Sequence, residues 1–164
     1  MAEAPRRVNF FNGLMLTAAD LAAEQEYHRR MRYLHNRLLH GYGTVSGLEV
    51  AVEEGCVHVS PGIGIDMHGR EIVVVQQLSL CLEPLRHDRR WVRELAIEWR
   101  ESAAEPVPGP ESELCFTRWV EQPELVLAAR GSSASEGLIL ARLTRTRRGG
   151  VDVDTSDRRP LGPA

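Results

Sequence analysis

The spacing of apolar residues along this chain changes period once, near residue 41. Before that point Tyr27, Met31, Leu34 and Leu38 recur at intervals of four, three and four, the repeat that lines up side chains on one face of an α-helix. Asp20, Glu24 and Glu26 come early and Arg29, Arg30, Arg32 and Arg37 come late, so the charges complement a helix dipole. Thr17 with Asp20 fits a capping box. These signals predict one helix over about 18–39, roughly 33 Å long at 1.5 Å per residue, with Gly41 as its stop. Leu34 and Leu38 are expected to be buried and the Arg29/Arg30 side exposed.

After residue 43 the alternation is of the β type. "TVSGLEVAV", "CVHVS", "PGIGID", "EIVVV", "LSLCL" and "VRELAIEWRE" read as strands, with "EEG" and "MHGR" as turns. "LCFTRWVE", "ELVLAAR", "GLILARLTR" and "GGVDVDT" read the same way, whereas the proline-rich "SAAEPVPGPES" reads as an exposed loop. Trp99 alternates with Leu95 and Ile97 and should be core; Trp91 could be core or surface. The expected fold is α+β and mainly β: one long N-terminal helix, then an antiparallel β-sandwich or barrel-like domain over about 44–155. One domain over 1–156 and a loose tail over 157–164 complete this picture.

A length of 164 residues, 43% of them apolar and 26% charged, supports one core and argues against general disorder. A net charge of -3 makes the whole protein a poor polyanion binder. All 20 basic residues are arginine, which points first to a GC-rich coding bias. Cys56, Cys81 and Cys115 form neither a CxxC pair nor a disulfide framework, so reduced thiols in a cytoplasm are expected. The N-terminus holds no apolar run of signal-peptide length, and no run reaches the 18 or more residues of a membrane span. Synthesis in the cytosol is the corresponding expectation.

"RLLHGYGTVSGLEV" tests the chemistry. A phosphate loop needs strand, glycines, then helix; here the glycines follow a helix C-terminus. Gly41, Gly43 and Gly47 therefore read as a hinge, with positive φ expected at Gly41 or Gly43. His28, His35 and His40 lie seven and five residues apart, which is the wrong spacing for one metal ion on a helix. No GxSxG elbow occurs and no histidine neighbours a cysteine in sequence. Asp66, His68, Arg70 and Glu71 read as the mouth of a hairpin turn. Pro61, Gly62, Asp66 and Gly69 join the three glycines as structural turn positions. No catalytic, metal or cofactor site is expected, and none for nucleic acid.

The motif order adds a resemblance. "FFNGLMLTAADLAAEQEYHRRMRYLHNRLLHGYGTVSGLEV" followed by "VHVSPGIGIDMHGREIVV" resembles proteins encoded with phage-like contractile injection systems and among phage tail genes, over about residues 9–155. The second motif alone is similar to the β-domains of many tail-fibre and baseplate proteins. The resemblance implies a non-enzymatic structural part near the baseplate or fibres, made in the cytoplasm and built into a tail-like particle. Its implied partners are other particle proteins and a second copy of itself. The competing reading is a small ligand- or carbohydrate-binding β-module for receptor recognition, gripping sugar with an exposed tryptophan and nearby carboxylates.

The helix's apolar stripe best suits the protein's own sheet, with a neighbouring subunit second and nucleic acid third. One sheet cannot also cover Tyr33 and Leu39, which point elsewhere. An interface with another chain is therefore expected around Tyr33, Leu39 or Tyr42, rimmed by Arg29, Arg30 and Arg32.

Overall fold

The computed structural model describes residues 4–82, 91–110, 113–129, 137–146 and 150–161. Among the described residues one α-helix, α1 (Ala18–His35), precedes twelve strands in antiparallel sheets. Thr17 and Asp20 form the anticipated capping box: Asp20 N–H donates to Thr17 Oγ1 (3.3 Å), and Thr17 N–H donates to Asp20 Oδ2 (2.9 Å). The Thr17 hydroxyl, donating to Asp20 Oδ2 at 2.6 Å, and the Thr17 N–H hold the Asp20 carboxyl below the ordinary aspartate range. The helix does not run on as α to residue 39. It widens into a π turn over Asn36–His40, closed by Gly41 N–H donating to the Asn36 carbonyl at 2.9 Å. Gly41 (φ 81°) and Gly43 (φ 151°) then make the expected left-handed exit.

Three long runs of chain follow as a meander, each bent once. β1 (Gly43–Gly47) leads into β2 (Val50–Glu53), β3 (Cys56–Val59) into β4 (Gly62–Ile65), and β5 (Glu71–Val74) into β6 (Leu78–Cys81). The halves belong to different sheets, ordered β1-β4-β5 and β2-β3-β6. "TVSGLEVAV" is thus two strands rather than one. Gly47 (φ 60°) and Leu48 (φ 58°) are both left-handed and turn the chain between sheets, while Leu48 is fully buried. Leu48 N–H donates to the Pro61 carbonyl (3.3 Å) and Ser60 N–H to the Glu49 carbonyl (2.9 Å), so pairing continues through the bend.

The facing layer is ordered β10-β7-β11-β12, with β7 at Val92–Glu98, β10 at Glu124–Ala129, β11 at Leu138–Arg145 and β12 at Val151–Asp154. Leu48, Val57, Val59, Ile72 and Val74 of the meander share one core cluster with Trp91, Leu95, Ile97, Leu138, Leu140 and Leu143. The sheets face each other like a sandwich and do not close into a barrel. Trp99 packs against the edge of this core, partly buried.

Three expectations are corrected here. The proline-rich stretch is strand β8 (Glu101–Pro108), paired with β9 (Leu114–Glu121) as a two-stranded ribbon. Pro106 and Pro108 are tolerated because β8 is an edge strand, where a missing N–H need break no ladder. Cys56 and Cys81 are directly opposed in the β3–β6 register and form a disulfide; Cys115 is free. Sequence separation hid them, because pairing across neighbouring strands brings distant cysteines together. Finally, residues 158–161 are not loose. Thr44 N–H donates to the Arg159 carbonyl (2.8 Å) and Leu161 N–H to the Thr44 carbonyl (2.7 Å), laying the C-terminal segment along β1. The Arg158 guanidinium bonds the Gly47 carbonyl and lies 3.0 Å from Glu49.

Two outcomes follow from this packing. Leu140→Ala should cost about 2–5 kcal/mol in urea unfolding, while Leu34→Ala should stay within about 0.5 kcal/mol of a surface control. Thiol titration of the unfolded protein should find one reactive thiol per chain before reduction and three after. Reduction should lower stability by about 2–4 kcal/mol.

Candidate docking surface

The helix meets the β-domain through its polar side, and none of its residues is fully buried. Asn36, at the start of the π turn, is buried and fixes the helix end. Its Nδ2 donates to the Gly69 carbonyl (2.9 Å) and to Glu71 Oε1 (2.8 Å). Arg32 pairs with the same carboxylate at 3.0 Å, and Arg29 reaches Glu101 at 3.4 Å. Gly69 has φ 86°, and a Cβ there would collide with the Tyr33 carbonyl. The helix backbone therefore rests directly on the turn after β4.

That turn is held from within by Asp66, which is almost wholly buried. Its Oδ1 accepts from the N–H groups of His68 and Arg70, both at 2.9 Å, and its Oδ2 from Arg70 Nε at 2.6 Å. Arg70 lies 5.0 Å from the centre of the Trp99 ring and Arg29 lies 6.0 Å from it. Asp66, Arg70 and Glu71 thus form a structural seat for the helix.

Since the polar side faces inward, the apolar stripe faces outward. This overturns the expectation that it covers the protein's own sheet: Leu34 is 36% exposed and Leu38 68%. Tyr27, Met31 and Leu34, with Ala23, Glu26, Arg30 and Arg37, line a groove of about 420 Å³. Pro5 and Arg6 from the N-terminal segment and His68 from the turn complete the lining. Arg30 and Arg37 make no ion pair among the described residues.

The predicted interface residues fall in two groups. Arg29, Arg32 and Tyr33 lie at the inner contact, and the expected exposure of the Arg29 side is only partial. Leu39 is 69% exposed and Tyr42 42% exposed, the Tyr42 ring lying 4.3 Å from the Arg159 guanidinium. Asn36 was missed as a key residue; an amide in the middle of a basic run gives no periodic signal. His35 and His40, discounted by helical spacing, meet at 3.3 Å because the π turn, bonded from i to i+5, brings residues five apart close together. Among the described residues no group of three or more His, Cys, Asp or Glu is placed to hold a metal ion, and no helix is long and apolar enough to cross a membrane.

Solved structures are similar in fold to this chain over most of its length. A chain of the TssK–TssF–TssG baseplate subcomplex of the type VI secretion system matches with a TM-score of 0.57 at 14% identity, covering 92% of this chain and 60% of that one. A crystal structure of TssK gives 0.56 at 10% identity over 92% of this chain and 41% of that one. A chain of the type VI secretion baseplate complex gives 0.56 at 15% identity over 93% and 58%. The chain thus spans about half the length of these structural neighbours. No protein-family model and no curated protein matches the sequence.

Asn36→Ala should cost about 1–3 kcal/mol, since it strands the Gly69 carbonyl and leaves Glu71 Oε1 to Arg32 alone. Asn36→Asp should be worse than alanine, because it sets a second carboxylate against Glu71. Urea unfolding checks both, and faster proteolytic cleavage within 18–35 would show that the helix has come off its seat.

Proposed function

We propose that this chain is a non-enzymatic structural component of a contractile injection particle, made in the cytoplasm and built into the particle near the baseplate or fibres. Its work is protein–protein contact. The observation that carries the reading is the match of 92% of the chain to a fold found in type VI secretion baseplate structures. The outward stripe of α1 supplies a contact surface, and the β8–β9 ribbon supplies a second: Trp119 is 70% exposed and Phe116 48%. Exposed aromatic and apolar residues ringed by arginine are what protein interfaces enrich.

Mass spectrometry of particles purified from the native host should find this chain at a constant ratio to the sheath protein. Deleting its gene should reduce the yield of assembled particles. Absence from purified particles, with yield unchanged by the deletion, would overturn the reading.

A further inference from the structure

We propose that the groove on the outer face of α1 receives an acidic amphipathic helix from a different protein, not a second copy of this chain. This deepens the assembly reading and rests on it.

The helix register carries the argument. Tyr27, Met31 and Leu34 follow a heptad seam with Met31 at position a and Tyr27 and Leu34 at position d. In that register Arg30 and Arg37 both fall at g, beside the seam, and both line the groove. Asn36 and Arg29, which hold the helix to its own sheet, fall at f on the opposite side. One side of the helix is thus spent on its own domain; on the other, Leu34 is exposed while Tyr27 and Met31 are partly buried in the groove. The seam asks for apolar residues at a and d of an incoming helix, and the g arginines ask for carboxylates beside them.

The same register excludes self-pairing. In a parallel pair, g faces e of the partner, so Arg30 would meet His35. In an antiparallel pair g faces g, so arginine would meet arginine. Neither arrangement brings up an acid. Glu24 is engaged by His28 at 3.0 Å, and Glu26 lies 3.9 Å from Arg29. The two g arginines have no ion-pair partner among the described residues, so an incoming carboxylate breaks no existing pair.

The test uses the full chain and two synthetic four-heptad peptides with leucine at a and d, one carrying glutamate at e and g and the other lysine. Fluorescence anisotropy should show the glutamate peptide bound, more weakly as salt rises, and the lysine peptide bound at least about tenfold less tightly. Joint substitution Arg30→Glu with Arg37→Glu should reverse that preference in a chain that still melts cooperatively, since neither side chain has an ion-pair partner to lose among the described residues. Equal binding of both peptides, or an unreversed preference in the variant, would overturn the groove assignment. So would a dimer of the wild-type chain that Leu34→Glu dissolves, or a DNA duplex that binds through the same arginines while both peptides fail. Particle purification separates this proposal from the assembly reading. A wild-type chain missing from particles defeats the assembly reading, whereas an Arg30→Glu/Arg37→Glu chain entering them at the wild-type ratio defeats only the groove.

Discussion

One buried carboxamide sets the orientation of the helix. Asn36 donates to a backbone carbonyl and a carboxylate of the same turn, and each bond is costly to leave unmade in a buried place. Seating the helix on its stripe would bury more apolar area, worth roughly 1.5–3 kcal/mol for each large side chain fully covered. It would also strand the Gly69 carbonyl and leave Glu71 without Asn36 and Arg32. Backbone contact at Gly69 leaves room for one approach of the helix axis and not for a helix rolled to its other side. A polar attachment therefore fixes where the apolar surface points.

The sheet beneath the seat is built from bent strands. The left-handed pair Gly47–Leu48 sends one run of chain into two sheets, and the Pro61 carbonyl accepts across the bend. The turn after β4 is tied internally by three bonds to Asp66. From it Arg70 reaches toward Trp99, just beyond the end of β7, and Arg29 approaches the same ring from the helix. Helix, turn and the base of the ribbon meet at one indole.

What the sequence disclosed depends on how local each signal was. The helix start, the change of period, the hairpin turns and the glycine exit are set by neighbouring residues, and each is where the local pattern places it. Alternation also holds in β3, where Val57 and Val59 are fully buried and His58 between them is partly exposed. The disulfide, the docked residues 158–161 and the fate of the stripe depend on partners up to more than a hundred positions away, where periodicity is silent. The stripe is the instructive case. An apolar face at 3.6 spacing says that something covers it and does not say whether that cover is intramolecular. Asn36, one polar residue on the far side of the helix, carried that information. The ribbon failed for a related reason: Pro106 and Pro108 forbid a central strand but permit an edge.

The ribbon and the helix share a physical situation that bears on assembly. A two-stranded ribbon alone in water is marginal, and this one is anchored chiefly at its base, where Gln122 N–H donates to the Arg100 carbonyl and Arg100 pairs with Glu98 and Glu124. A helix without a fully buried residue is likewise held by few contacts, and one of them, Arg29 to Glu101, ends on the first residue of β8. The two least buried elements are thus fastened to the same corner of the domain, while the core cluster lies between the sheets and includes neither. A partner gripping either element adds buried area where the free chain has least. Because the core cluster includes neither surface, covering them would add to the buried area without rebuilding the core.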